Sequence, residues 1–406
     1  MLHLLIAAVL FQADSTPPAP APAPAAARPI AAERLFTVDR VVARAVAAGG
    51  FPGATVAIGR TSGPVWLRGY GTLSWDPDAA QADPTRTMYD LASLTKVVAT
   101  TTAIMILYDQ GKIRLDAPAA RYLPRWKIGK RAHVTVRELL THRSGLPPGR
   151  ELWRVANTPA QARRAVLATP LENEPDAHYV YSDLGADVLG QIVEAVSGEK
   201  LDAFVAHHVY QRLGMTSTRF RPLSSMYTRL AHTEAPLGRV HDRNAATLGG
   251  VAGHAGLFST ASDLSVFAQM MLGGGQYHGV RIVRESTVAL FTRRAAGHRA
   301  LGWDTCGGAS CGQIMGETAY GHTGFTGTSL WIDPAHDAYV IVLANWACSD
   351  ATHAVPPSAA LSDVRADLAD LTEAAVLSGT AFAHDSLSIR SDGARGWTRG
   401  AERQGW

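Results

Sequence analysis

Ser93 and Lys96 stand three positions apart at the head of the apolar run V-V-A-T-T-T-A-I-M-I-L-Y. On a helix, residues so spaced share a face, with Cβ atoms about 5–6 Å apart. A hydroxyl and an amine in that relation can exchange a proton. Serine needs such a neighbour, because at neutral pH it is a weak nucleophile. By itself the S-x-x-K pattern is common and says little. It gains weight from two later groups, Tyr181-Ser182-Asp183 and His322-Thr323-Gly324. These add a phenol, a carboxylate, an imidazole and a glycine just before a predicted strand.

Several elements must position these groups. Leu35, Val38, Val41 and Val42 predict an amphipathic helix over 32–48. Residues 54–60 and 65–71 read as strands bounded by Gly and Pro. The Ser93 helix is expected to run to Gly111, a suitable stop. Leu184, Val188, Leu189, Ile192, Val193 and Val196 predict a helix over 182–196, and Leu201, Phe204, Val205, Val209 and Leu213 predict another over 201–213. Thr260 and Asp263 fit a capping box that opens the helix carrying Leu264, Phe267 and Met271. Strand character returns at 328–333 and 338–345, around a turn at Pro334, and a helix near 357–377 follows.

Strands thus lie at both ends and helices lie between. The economical fold is mixed α/β: one antiparallel sheet built from both ends, flanked by the terminal helices, with a large, mostly helical insertion. The expected division is a sheet domain of 29–88 plus 296–378 and a helical domain of 89–295. Residues 379–406 lack periodicity and are expected to be disordered.

Composition narrows the class. With 47% hydrophobic and 18% charged residues, the chain reads as an ordinary globular protein. A formal charge of +3 without a dense basic block makes nucleic acid an unsuitable partner. Three cysteines are too few for a disulfide scaffold; Cys306 and Cys311 could close a small loop or remain thiols. No C-x-x-C pair or H-E-x-x-H helix occurs, so no metal and no cofactor are expected. The Gly-rich segment from His241 to His254 has no metal-ligand spacing and is expected to line a cleft. His142, Trp153, Trp303 and Trp331 are expected to serve structure and packing.

The start, M-L-H-L-L-I-A-A-V-L-F, has the apolar character of a secretion signal but lacks a basic flank and is too short to span a bilayer. A Pro/Ala stretch follows within 1–28, of the kind that tethers a domain at a distance. Export to the periplasm or beyond is therefore expected, with no transmembrane span.

In its motifs the chain resembles the penicillin-recognising serine hydrolases: class C β-lactamases, low-molecular-weight DD-peptidases, and related esterases and D-aminopeptidases. Their signature is S-x-x-K, then Y-x-N, then K/H-T-G. Counterparts here are Ser93–Lys96, Tyr181–Asp183 and His322–Gly324. Residues 139–147, 181–190, 213–215 and 256–260 also fit, and the likeness covers residues 35–350. The resemblance implies a β-lactamase/transpeptidase-like fold. It implies that Ser93 is the acyl-accepting nucleophile, with Lys96 and Tyr181 moving its proton as a coupled pair. The N–H groups of Ser93 and Phe325 would form the oxyanion hole. Asp183, His322, Thr323 and Gly324 would contact substrate.

Two positions depart from the usual pattern. Asp183 replaces an asparagine; an ionised carboxylate only accepts hydrogen bonds. Beside Lys96 it would favour the ammonium and shift the base role towards Tyr181. His322 stands where β-lactamases usually carry lysine, and a mostly neutral imidazole holds a substrate carboxylate less firmly.

The expected activity is therefore serine hydrolysis through an acyl-serine, on a carboxylic ester or a D-amino-acid peptide bond. Efficient β-lactam hydrolysis ranks below these, because both departures remove groups it uses. A non-catalytic penicillin- or cell-wall-peptide-binding protein is the contrasting class, and intact Ser93, Lys96 and Tyr181 oppose it. An α/β-hydrolase is disfavoured by the lack of a G-x-S-x-G elbow.

Overall fold

The structure is a computed structural model that describes residues 35–307, 309–350, 353, 358–377 and 389–392. The signal-like start and the Pro/Ala linker lie outside the described residues, as does most of the segment beyond 378.

The main sheet has six strands, and it draws its two ends from opposite ends of the chain. Its spatial order is Gly63–Gly71, Gly53–Arg60, Ala338–Ala344, Thr328–Asp333, Tyr320–Thr323 and Asp304–Thr305. Every pairing is antiparallel. Register is clear at the centre, where Ala54, Val56 and Ile58 oppose Ala344, Val342 and Val340.

Both faces of the sheet are covered, which explains why its central strands are nearly unbroken apolar runs. Side chains alternate between faces with the period of a strand. Val56, Ile58, Val340 and Val342 pack with Val38, Val41 and Val42 of the helix Phe36–Ala47 and with Leu361, Val364 and Leu368 of the C-terminal helix Ser358–Val376. Ala57, Ile341, Leu343 and Leu330 point the other way, into the core that contains Leu94, Val97, Val98 and Phe267. The expected mixed α/β architecture flanked by terminal helices is the observed one, and the structure sets both of those helices on one face.

Some boundaries moved for physical reasons. The helix after Ser93 is not uniform: Lys96–Thr101 is a π-helical segment, and α-helix resumes at Thr102–Asp109. A second π segment, Ala206–Tyr210, interrupts the 201–213 stretch. Wide turns of this kind are invisible to hydrophobic periodicity and occur frequently at functional sites. At Thr260 only half of the expected capping box forms. Its side chain accepts from the Asp263 N–H, while the Asp263 carboxylate turns to the Ser217 N–H at 2.8 Å and the Thr218 hydroxyl at 2.9 Å. Within the segment expected to lack structure, Arg390–Asp392 forms a helical turn on the C-terminal helix, where Arg390 pairs with Asp367 and Asp370.

A small sheet of Tyr89–Asp90, Leu257–Ser259 and Arg219–Phe220 sits beside the main one. It fixes the chain entering the Ser93 helix. Trp303 and Trp331 are buried, as expected of core residues. Trp153 instead carries the Arg243 guanidinium over its ring at 4.7 Å.

Candidate active site

Ser93 follows a forced turn. Ala92 has φ +46°, a conformation that costs a non-glycine residue free energy. The buried carboxylate of Asp90 holds it, accepting from the Ala92 N–H at 2.9 Å and from the His241 N–H at 2.7 Å. Hydroxyls of the strand turn clamp the same segment: Thr326 donates to Asp90 O at 2.6 Å and Thr328 to Leu91 O at 2.9 Å. Gly324 belongs to this clamp. A Cβ there would lie 2.1 Å from Thr328 Oγ1 and 2.4 Å from Leu91 O. The glycine is required by the protein's own close approach.

Lys96 is buried and reaches back one turn, so its ammonium donates to Ser93 Oγ at 2.9 Å. It also meets Asp183 Oδ1 at 2.7 Å and lies 3.5 Å from His254 O. Its Nζ is 4.7 Å from the centroid of the Tyr181 ring. Burial works against the lysine charge, but the Asp183 carboxylate and the Tyr181 phenol more than offset it, holding the ammonium above the ordinary lysine range. Asp183 does not cap its helix. Ser182 does, accepting from the Gly185 N–H at 3.2 Å, which leaves the Asp183 carboxylate for Lys96.

The segment carrying Tyr181 is fastened by the turn around His142. His142 O accepts from the Val180 N–H at 2.9 Å, and His142 Nδ1 accepts from the Ser182 N–H at 3.1 Å. Its ring also packs on Tyr181, with centroids 4.6 Å apart. The expected structural role of His142 is thus specific: it positions the phenol.

His322 lies on the strand Tyr320–Thr323, 2 % exposed. Its Nδ1–H donates to Thr323 O at 2.7 Å, and Nε2 stands 3.5 Å from the Arg299 guanidinium. Burial, Arg299 and Lys96 keep both His322 and His142 neutral, well below the ordinary histidine value. Arg299 was not singled out by the sequence. It pairs with Asp304 at 2.8 Å, donates to the Tyr179 hydroxyl at 3.0 Å and sits 5.2 Å from the Tyr181 ring centroid. Arginine is a permanent cation, and here it stands beside a neutral His322.

Among the described residues, neither the Ser93 N–H nor the Phe325 N–H donates to a protein acceptor. Phe325 itself is 54 % exposed and stacks on His241, with centroids 5.5 Å apart. The 241–254 segment thus borders the site, as expected of a cleft wall.

A second arrangement that the sequence did not reveal lies behind Lys96. His254, 1 % exposed, places Nδ1 2.7 Å from Asp187 Oδ1 and Nε2 3.0 Å from Asp242 Oδ1. Burial opposes its charge, yet Asp187, Asp242 and Asp183 hold it protonated, well above the ordinary value. A signal was present: Asp187 is a charge on the apolar face of a helix, and such a group requires a partner.

Comparison with known proteins agrees with this chemistry. The beta-lactamase family profile matches residues 38–362. A protein of Escherichia coli O157:H7 named "Putative D-alanyl-D-alanine carboxypeptidase" is 34% identical, over 77% of this chain and 82% of its own length. A protein of the same name from Salmonella schwarzengrund is 33% identical, over 73% and 79%. Among solved structures, EstCE1, a hydrolase with promiscuous acyltransferase activity, superposes with a TM-score of 0.70 at 21% identity, covering 85% of this chain and all of the other (100%). A penicillin-binding protein homologue from Caulobacter crescentus gives 0.65 at 17% identity, covering 77% and 92%. These two likenesses concern the fold. The chain belongs to the beta-lactamase family, and it is a serine hydrolase.

Proposed function

We propose that the protein cleaves an acyl bond next to a free carboxylate, as in a peptide ending in D-alanine, through an acyl-Ser93 intermediate. The observation that carries the reaction is the 2.9 Å contact from Lys96 Nζ to Ser93 Oγ. The ammonium stays protonated beside Asp183, so the base must be Tyr181, entering the step as its phenolate beside that ammonium and becoming the phenol when it takes the serine proton. Ser93 Oγ then bonds to the carbonyl carbon, and the oxyanion lies against the Ser93 and Phe325 N–H groups. The C–N bond breaks, and the leaving amine receives the proton from Tyr181. Water, deprotonated by Tyr181 in turn, attacks the acyl-serine and frees the acid and the Ser93 hydroxyl.

The carboxylate requirement rests on Arg299, whose guanidinium is buried between His322 and Tyr181. His322 and Thr323 would sit beside the same carboxylate, with Gly324 shaping the edge. The names of the curated relatives support this substrate class. One observation favours a second reading, a small carboxylic ester: Asp183 cannot donate to an amide carbonyl, and an ester without a side-chain amide has no need of that donor. Export, suggested by the apolar start, would bring the enzyme to cell-wall peptides.

The test compares D-alanine release from a peptide ending in D-Ala-D-Ala with p-nitrophenyl ester cleavage and nitrocefin turnover. Peptide cleavage that disappears in Ser93→Ala supports the proposal, with nitrocefin turned over slowly. Ester cleavage without peptide cleavage replaces it with the second reading. Nitrocefin turnover faster than both overturns the ranking. An acyl adduct seen by intact mass, absent from Ser93→Ala, checks the intermediate.

A further inference from the structure

At the far end of the strand Thr328–Asp333, away from Ser93, three side chains converge. Asp333 ends the strand, His336 lies in the following turn, and Glu373 comes from the C-terminal helix. Asp333 and Glu373 are both fully buried at 0%, and the His336 side chain is 25% exposed. His336 Nδ1 is 2.9 Å from Asp333 Oδ2 and 2.7 Å from Glu373 Oε2. One nitrogen, with one hydrogen at most, faces two carboxylate oxygens.

Hydrogen bonding does not resolve the cluster. Asp333 is served by the Gly316 N–H at 2.6 Å and the Ala335 N–H at 3.0 Å. Glu373 has neither oxygen in a hydrogen bond, although both are buried, and His336 Nδ1 also lacks one of proper geometry. A fully buried carboxylate whose one nearby donor, His336 Nδ1, is shared with a second carboxylate is poorly served, and that is costly. The nearby arginines do not serve Glu373 either. Arg60 contacts the His336 carbonyl at 3.3 Å and Asp337 at 3.7 Å, and Arg390 is taken by Asp367 and Asp370.

We propose that Asp333, His336 and Glu373 form a structural site for one divalent transition-metal cation, with Zn²⁺ as the best-fitting ion. The three donor atoms lie within 4.8 Å of one another. The separations of 2.7 and 2.9 Å are somewhat shorter than the roughly 3.3–3.6 Å between tetrahedral ligands 2.0–2.2 Å from one ion, so the side chains would spread by under about 1 Å to admit it. A cation at that point would use the unpaired Glu373 oxygens and relieve the double claim on Nδ1. An imidazole among the donors favours Zn²⁺ or a similar ion over Mg²⁺ or Ca²⁺, which prefer all-oxygen sites. Such an ion would tie the strand turn to the C-terminal helix. At about 3.4 Å rise per residue, the strand puts the site roughly 17 Å from the Thr328 end that clamps the nucleophile. The role is therefore in stability, and it does not depend on the proposed substrate.

The test uses the full chain, stripped with a chelator and dialysed. Zn²⁺ is titrated by calorimetry, and thermal melts are recorded with and without it. The expected result is one Zn²⁺ per chain and a melting temperature raised by about 3 °C or more. His336→Gln and Glu373→Gln should each weaken Zn²⁺ binding at least about tenfold. Glu373 is buried and its variant could fail to fold; His336 is partly exposed and keeps the test decisive. No stoichiometric binding, or binding that His336→Gln leaves unchanged, overturns the site and leaves an ion-pair cluster in its place.

Discussion

The two flanks of Lys96 are built from opposite charges. On one side stand Asp183, Asp187 and Asp242, with His254 protonated among them. On the other stand Arg299 and two histidines, His142 and His322, both kept neutral. The same side chain thus carries a positive charge on one flank and none on the other. Burial is nearly equal for all three, so the neighbours decide. Lys96 remains charged because Asp183 holds it, while on the other flank Arg299, itself paired with Asp304 at 2.8 Å, helps to keep the two histidines neutral. Sequence motifs identify Lys96, but its protonation state belongs to the residues on either side.

The sharpest way to break this contrast is Asp183→Asn. Removing the carboxylate lets burial pull the Lys96 value down, so the alkaline limb of kcat/KM should move to lower pH. The rate should fall about 10- to 100-fold, the worth of one hydrogen bond to a charged group. A pH profile unmoved by the substitution would mean that Asp183 does not set the lysine charge. Arg299→Gln probes the other flank. Cleavage of a substrate bearing a free carboxylate should fall about tenfold, while a neutral ester is affected much less. Equal losses on both would assign Arg299 to packing alone.

The smallest signal concerns His254→Gln, read as melting temperature against pH. The folded value of His254 is raised, so its stabilisation is fully present below its unfolded value of about 6.5. It is lost as pH rises through the folded value. The variant should therefore melt a few degrees below the parent at pH 6, with the gap closing under strongly alkaline conditions. A gap that widens as pH rises would show that His254 is not held as an imidazolium.

Much of this architecture was legible beforehand. The helix expected over 182–196 spans Asp183–Ser197, and the strand expected over 328–333 spans Thr328–Asp333. Both are long enough for their period to be read, and both have clear boundaries. Ser93, Lys96 and Asp183 meet because the first two share a helical turn and the third starts a helix held by the His142 turn. Arg299 was not legible, because it sits in an irregular segment held by isolated bridges to Ala296 and Asp304. Nothing periodic marks such a residue. The pairing of Asp187 with His254 spans 67 positions, and local pattern cannot choose one partner among many. The cluster around His336 escaped for the same reason, since Glu373 reaches it from the final long helix.

Phe325 joins two tasks that proteins often separate. Its backbone N–H is the proposed partner of the Ser93 N–H in the oxyanion site, while its ring is exposed and edge-on to Trp346, with centroids 5.5 Å apart. Exchanging the ring alters what a visiting molecule rests against and leaves the peptide unit in place. Selectivity in this enzyme can therefore drift at position 325 without rebuilding the catalytic apparatus. Laboratory evolution for new acyl groups has a natural starting point at that doorway.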